Sequence, residues 1–128
     1  MPRRHKGQVT AVVGAQLGSE GKGCVVYYLR NQFDLAVRTG APNAGHSFVD
    51  RGKLFKMQTI PCTWPNRKCA LVLGAGALVN ARLLATEIAA IEAHEGDIDV
   101  RTRLVVDDRA GILEPRHREE EGGVQNGE

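Results

Sequence analysis

The chain has 128 residues, of which 42% are hydrophobic and 25% charged, and its formal net charge is +2. This length allows one domain with a single hydrophobic core, and the composition is typical of a soluble globular protein. The small net charge argues against a nucleic-acid partner, the lack of any run near roughly 18 apolar residues argues against a membrane span, and the basic residues 1–6 lack the apolar stretch of a secretory signal.

A glycine-rich stretch, residues 16–23, lies between a predicted strand and a predicted helix. Residues 9–13 form an apolar run typical of a strand, and residues 24–30 are compatible with a helix. This layout is typical of a phosphate site, because inward backbone N–H groups, a helix N-terminus and one lysine all favour an anion. A plain connecting turn is the alternative, because glycine is common wherever φ must be positive.

The loop departs from the standard P-loop pattern GxxxxGK[ST] at two positions. The first glycine of that pattern would fall on Gln16, and the Ser or Thr that binds magnesium would fall on Gly23. The stretch is therefore predicted to be a variant anion-binding loop.

A short strand, a turn and a hairpin are predicted next. Residues 34–38 are typical of a buried strand, and residues 39–42 have turn chemistry. The stretch Asn-Ala-Gly-His at 43–46 therefore follows a strand end, where α/β proteins place ligands. Two alternating runs on either side of Arg51 and Gly52, 47–50 and 53–58, predict a hairpin.

The second half begins with a loop at 60–66, in which Trp64 is expected to be a packing residue. Residues 70–73 predict a second buried strand. The glycine turn after it lacks the third glycine of the dinucleotide fingerprint, because that position is Val79. Asn80 is the predicted N-cap of the next helix. It precedes an amphipathic helix to about residue 95, whose apolar positions are Leu84, Ile88 and Ile91.

A third strand is predicted at 103–107, and alternating strands and helices predict an α/β fold with a mainly parallel sheet. The sheet is expected to be incomplete, within one domain spanning 1–128. Residues 1–8 are interpreted as a flexible tail and residues 115–128 as poorly ordered in isolation. Solvated side chains are expected for three histidines and an acidic run, and Asp107 or Asp108 is expected to pair with Arg109 or Arg103. The solvated set is His5, His94, His117 and Glu119, Glu120 and Glu121.

The three cysteines, Cys24, Cys62 and Cys69, form no CxxC pair. A sparse and odd set of this kind suits the reducing cytoplasm. A structural zinc site is not expected, because no second pair of Cys or His has ligand spacing.

Several of these stretches together resemble the N-terminal part of the adenylosuccinate synthetase family. The resemblance is carried by residues 12–23, Arg38, and residues 43–47, 73–80 and 108–110. It implies a ligase that joins L-aspartate to a 6-oxopurine nucleotide with hydrolysis of a nucleoside triphosphate. Members of the family are several hundred residues long. The chain is therefore interpreted as a fragment of their first third, incomplete as an enzyme by itself.

The resemblance also implies roles for individual residues. Lys22 would bind a phosphate or the purine 6-oxygen, and His46 would be the general acid at that oxygen, a task that suits its ordinary pKa of about 6.5. Mg²⁺ is the implied cofactor, with Ser19 and the backbone carbonyl of Gly45 as ligands beside phosphates and water. Ser19 would complete the catalytic set with Lys22 and His46. The implied nucleotide-binding residues are Gly18, Ser19, Glu20, Gly21, Lys22, Gly23, Cys24, Asn43, Ala44, Gly45, His46 and Ser47.

One position departs from the family pattern, whose loop normally reads G-D-E-G-K-G. Ser19 replaces the aspartate that acts there as a base and as a magnesium ligand. This replacement is similar to the viral branch of the family that acts on dGMP, since a shorter hydroxyl leaves space for the 2-amino group of guanine. A serine is a poor base unless another group activates it, so the family's proton transfer cannot be carried over unchanged.

The implied partners are dGMP or IMP, L-aspartate, ATP or GTP, and a second copy of the chain in a homodimer. The expected location is the cytoplasm, or the host cytoplasm if the protein is viral. Two alternatives stay open beside the dGMP interpretation. One is an ordinary synthetase acting on IMP, and the other is an inactive remnant that binds nucleotide without turnover.

Overall fold

The computed structural model describes residues 7–16, 18, 20–95 and 100–116. Its helices are α1 (Lys22–Leu29), α2 (Ala81–Glu95) and α3 (Val100–Arg103), and a 3₁₀ turn at Arg30–Gln32 follows α1. Its strands are β1 (Leu35–Arg38), β2 (His46–Asp50), β3 (Lys53–Met57), β4 (Ala70–Leu73), β5 (Leu78–Val79), β6 (Leu104–Val106) and β7 (Gly111–Ile112). Among the described residues, no helix is both long and apolar enough to cross a membrane.

The central sheet consists of three parallel strands in the order β1–β4–β6. Val37 of β1 pairs with Val72 of β4, which pairs with Val105 of β6. Parallel neighbours need a crossover connection, and α2 lies in the connection between β4 and β6. A second parallel pair, β5 with β7, was not predicted. The predicted α/β fold with a mainly parallel sheet is confirmed.

The predicted hairpin is formed by β2 and β3. Its two central residues, Arg51 and Gly52, have φ values of 45° and 78°, and positive φ at both positions is the geometry of a type I′ turn. Phe48 and Phe55 are directly opposite each other in the antiparallel register and are both buried. The hairpin therefore presents one apolar face to the core.

The core lies where the hairpin, α2 and β4 meet. Trp64 has no exposed surface, and its ring centroid lies 4.9 Å from that of Phe55 in an edge-to-face arrangement, which confirms the expected packing role. Asn80 caps α2, since its Oδ1 accepts the Leu83 N–H at 3.0 Å. The buried core residues are Phe48, Phe55, Met57, Ile60, Cys62, Trp64, Leu71, Ile88, Ile91 and Val100.

A buried carboxylate joins α2 to the segment after β3. Glu87 is 6% exposed and accepts the backbone N–H groups of Gln58 (2.6 Å), Thr59 (3.1 Å) and Ile60 (2.8 Å). An ionised carboxylate makes stronger hydrogen bonds than a neutral acceptor. This contact holds the segment directly after β3, whose last residue, Met57, pairs with His46.

Three sequence predictions are wrong. The strand at 34–38 was predicted to be buried, but β1 is an edge strand of the central sheet, and its Leu35 and Val37 are 53% and 56% exposed.

No strand pairs with residues 9–13 within the described part of the chain, and the side chains of Val9 and Val13 are 92% and 79% exposed. His94 is not solvated: its side chain is 11% exposed and its Nε2 lies 3.0 Å from Asp50 Oδ2. The helical spacing explains this, because His94 lies three residues after the fully buried Ile91 and so on the same face of α2.

Several predictions fall outside the described residues, including Ser19, His5, His117 and residues 117–128 with their acidic run. The predicted ion pair of Asp107 is confirmed. Arg109 donates to Asp107 from its backbone N–H (2.9 Å) and from two guanidinium nitrogens (3.0 Å each). These contacts, led by the guanidinium, hold the pKa of Asp107 at about 2. The pair is exposed and structural.

Candidate nucleotide-binding site

The glycine-rich loop reaches α1 through two glycines in the left-handed region. Gly18 and Gly21 both have φ of 72°, a conformation that side chains rarely adopt. Gly21 is the N-cap residue of α1, which has no side-chain cap hydrogen bond and no acidic residue in its first turn. The first N–H groups of the helix therefore have neither a capping side chain nor a nearby helical carboxylate, which favours an external anion.

Lys22 opens α1, and its Nζ forms an ion pair with the Glu20 carboxylate. The other oxygen of that carboxylate accepts the Gln16 N–H at 3.2 Å. The hydrogen bond from Lys22 is the main cause of the lowered pKa of Glu20. A bound phosphate would therefore compete with Glu20 for the lysine.

His46 lies against the start of α1. A Cβ added to Gly23 would lie 2.6 Å from the Cβ of His46 and 3.0 Å from its Cα and carbonyl carbon. Only glycine allows this approach of the helix to β2. The contact brings the loop and the Asn-Ala-Gly-His stretch, which are separate in sequence, to the same place.

The environment of His46 favours its neutral form. Burial lowers the pKa of the half-buried imidazole below its ordinary value of 6.5, the positive charges of Arg38 and Lys22 lower it further, and Glu20 opposes them. The side chain is therefore mostly neutral at pH 7 until negative charge arrives nearby.

The turn before His46 is exposed at Asn43, Ala44 and Gly45. The Arg38 guanidinium donates to the carbonyl oxygens of Ala44 (3.0 Å) and Met57 (3.1 Å). Sequence reasoning attached no role to Arg38, although its place at the end of a predicted strand was a usable signal.

Neighbouring side chains also support this turn. The Gln58 amide donates to the carbonyl of Pro42 at 2.9 Å. The Lys56 side chain lies against Gly45 and occupies the space that a Cβ there would need. Cys24 and Ser47, two of the other predicted contact residues, are exposed. The turn thus presents its backbone at the surface, directly before His46.

The residues present can supply only part of a magnesium site. Gly45 is exposed, and a backbone carbonyl is a suitable ligand, because Mg²⁺ prefers oxygen. The described ranges contain no cluster of three or more His, Cys, Asp or Glu that could hold a metal ion. The donor set therefore fits an ion that takes most of its ligands from bound phosphates and water.

Comparison with known proteins identifies relatives over nearly the whole chain. A family model described as adenylosuccinate synthetase matches residues 11–127. The adenylosuccinate synthetase of Methanococcus aeolicus is 34% identical over 113 residues, which are 86% of this chain and 32% of that protein. Adenylosuccinate synthetase 1 of Methanosarcina acetivorans is 38% identical over 126 residues, 93% of this chain and 29% of that protein. The chain spans about a third of the length of these curated relatives.

Two solved structures have a similar fold. The fully ligated adenylosuccinate synthetase from Plasmodium falciparum matches with a TM-score of 0.76 and 27% identity, over 90% of this chain and 27% of that one. The succinoaminodeoxyadenylate synthetase of cyanophage S-2L, bound to dGMP and to dATP as an energy donor, matches with a TM-score of 0.67 and 26% identity. That match covers 83% of this chain and 29% of the cyanophage chain.

Proposed function

Because the chain belongs to the adenylosuccinate synthetase family, we propose that the protein is a ligase that joins the amine of L-aspartate to C6 of a purine nucleotide. The supporting observation is the contact between Gly23 and His46, which places a lysine-bearing helix start beside a histidine. A nucleoside triphosphate, ATP or GTP, would drive the reaction. The intact protein would act as a homodimer in the cytoplasm, which suits three free cysteines.

The proposed reaction has two steps. The terminal phosphoryl group of the triphosphate passes to the purine 6-oxygen and releases the nucleoside diphosphate, while the purine N1 proton passes to water, because Ser19 is a poor base. The aspartate amine then displaces that phosphate at C6 and loses a proton. Lys22 would leave Glu20 to neutralise phosphoryl oxygens beside the N–H groups of α1. Bound phosphate charge would raise the lowered pKa of His46, so that the imidazole gains a proton in the loaded site and donates a hydrogen bond to the 6-oxygen, which stabilises the negative charge there.

Mg²⁺, when bound, would neutralise phosphate charge. Gly45 and Ser19 would hold it through one carbonyl and one hydroxyl. The other predicted contact residues, Asn43, Ala44 and Ser47 in the turn and Gly18, Gly21 and Cys24 around the loop, would line the nucleotide.

We infer from Ser19 that the purine nucleotide is dGMP. Guanine carries a 2-amino group beside N1, and serine leaves more space there than aspartate while keeping one hydrogen-bonding hydroxyl. Structures of both branches share the fold, since a cyanophage synthetase bound to dGMP matches with a TM-score of 0.67 and an adenylosuccinate synthetase with one of 0.76, so the inference rests on Ser19 alone.

IMP is the second candidate, favoured by the curated relatives. Those at 34% and 38% identity carry the name adenylosuccinate synthetase. Ser19 would then be a substitution within an ordinary synthetase. An inactive remnant is a third outcome, because serine at that position lacks the basicity of aspartate.

Calorimetric titration separates these possibilities. dGMP and IMP are titrated, with Mg²⁺ and ATP present, into the longest natural form of the protein and into its Ser19→Asp variant. The dGMP proposal expects dGMP to bind at least about tenfold more tightly, a difference of about 1.4 kcal/mol, and expects Ser19→Asp to shift the preference towards IMP. Tighter IMP binding in the natural protein would overturn the dGMP assignment.

Lys22→Ala is the matched control, since it should weaken both nucleotides without altering their ratio. If neither nucleotide binds to the natural protein, the ligase proposal fails. If one binds but no succinyl product forms on adding aspartate, the remnant is the better description.

A further inference from the structure

We propose that Arg38 is a positioning residue that holds residues 42–45 in the shape that presents the backbone turn and His46 to the nucleotide. Only the identity of the ligand rests on the proposed function. The contacts of Arg38 stand independently of it.

The guanidinium joins two segments that are far apart in sequence. Arg38 is the last residue of β1, and it donates to Met57 at the end of β3 and to Ala44 in the turn. A planar guanidinium presents several N–H donors in a fixed fork, so one side chain can hold two carbonyl oxygens at a set separation. The fork therefore fixes the turn relative to both strands.

Two of the three joined segments are firmly held. β1 pairs along its whole length with β4, including Arg38 with Leu73. The segment after Met57 is held by the buried Glu87 carboxylate, which accepts three consecutive backbone N–H groups. Because β1 and the segment after Met57 are held by these other contacts and the turn is exposed, the hydrogen bonds of Arg38 restrain the turn and not the two held segments.

Gln58 provides a second and weaker tie to the same turn. Its neutral amide donates to the carbonyl of Pro42, on the other side of Asn43 from Ala44. The carbonyl groups of the residues on both sides of Asn43 therefore accept hydrogen bonds, one from an arginine and one from a glutamine. Asn43 itself has an exposed side chain between two held peptide groups.

A lysine could not replace this arrangement. Its ammonium is a compact charge on a flexible stem, without the planar fork that reaches two carbonyls at once. Arg38→Lys therefore keeps the charge beside His46 while releasing one of the two carbonyls. The substitution separates the positioning effect from the electrostatic one.

Measurement of backbone ¹⁵N relaxation in the 128-residue chain tests the proposal. We expect order parameters of about 0.85 at residues 43–45 in the natural protein and below about 0.6 in Arg38→Lys. Arg103→Lys is the matched control, since Arg103 also donates to backbone carbonyls, those of Trp64, Asn66 and Cys69, away from the turn. It should leave the turn ordered.

Two further measurements test the proposal if Arg38→Lys does not fold. Gln58→Leu should lower the order parameters of residues 43–45 by less than Arg38→Lys does, because it removes only the weaker hydrogen bond to the turn. Methylguanidinium at millimolar concentration should restore order to the turn in Arg38→Ala, and it should have no such effect in Arg103→Ala. A turn that is equally mobile in the natural protein, or equally ordered in Arg38→Lys, would overturn the proposal.

Nucleotide affinity provides the functional measurement. Arg38→Lys should bind dGMP and IMP at least about tenfold more weakly, equivalent to about 1.4 kcal/mol, whereas Arg103→Lys should bind as the natural protein does. Equal affinity loss in both variants would reduce Arg38 to a general structural residue. If the natural protein binds neither nucleotide, the proposed function fails, while the relaxation data still decide the role of Arg38.

Discussion

Gly23→Ala should damage the candidate site far more than the fold. The added Cβ would lie 2.6 Å from the Cβ of His46, whereas carbon atoms pack at about 3.5–4.0 Å, so α1 and β2 must separate by about 1 Å. Overpacking costs about 1–3 kcal/mol. Gly23 lies in the first turn of α1, where alanine gains less than the roughly 1 kcal/mol over glycine that it gains in a helix interior. We therefore expect the unfolding free energy to fall by about 3 kcal/mol at most.

The effect on function should be larger, because a displacement of about 1 Å in a catalytic site can cost about 100-fold in rate. The assays are urea unfolding of the chain and nucleotide binding or turnover in the longest natural form. Val25→Ala is the control, since Val25 lies in the same helix, its side chain is 46% exposed, and the substitution also raises helix propensity.

A Gly23→Ala variant that keeps nucleotide affinity and turnover within about twofold of the natural protein would refute this reasoning. It would mean that α1 and β2 do not approach each other as described, or that the distance between Lys22 and His46 does not matter. A loss shared equally by Val25→Ala would instead assign the effect to the helix as a whole.

Three further predictions concern buried or reactive groups. Glu87→Gln should lower the unfolding free energy by about 2–3 kcal/mol in urea titrations, because it removes a charged acceptor of three N–H groups; an unchanged midpoint would contradict the contact. Burial would raise the pKa of Asp50, but its hydrogen-bond donors lower it overall, so its stabilisation should be complete above about pH 4 and fall as the pH drops further. Asp50→Asn should weaken the dependence of the unfolding free energy on pH below about 4. An identical pH dependence in both proteins would contradict the hydrogen bonds to the Asp50 carboxylate. Burial raises the pKa of Cys62 to about 12, so mass spectrometry should find iodoacetamide on exposed Cys24 and not on Cys62 at about pH 8, and nucleotide should slow labelling of Cys24.

The parts of the fold that could be predicted depend on local signals. The hairpin follows from Gly52 with alternating residues on both sides, and the start of α2 follows from Asn80 before an apolar periodicity. The strands at 35–38, 70–73 and 104–106 stand out as short apolar runs between turns. In each case the residues that carry the signal also make the contacts, so no knowledge of distant partners is needed.

The contacts that could not be predicted join distant segments. Asp50 accepts the hydroxyl of Tyr27 at 2.8 Å and lies 3.0 Å from His94, so it joins α1, β2 and α2. A polar residue directly before a predicted hairpin turn gives no sign of such partners. The same holds for Arg38 and Glu87, whose partners are backbone groups that every residue carries and that no sequence pattern marks.

Residues 9–13 show why the contact that positions Lys22 could not be predicted from the sequence. Their apolar run predicts burial in a strand, as in a standard P-loop, where a strand before the loop positions the lysine. The described structure pairs no strand with them and leaves Val9 exposed. What locates Lys22 is instead the packing of α1 against β2 at Gly23 and His46. The lysine is thus positioned from the helix side of the loop, so substitutions at Gly23 should affect it more than substitutions at Val9.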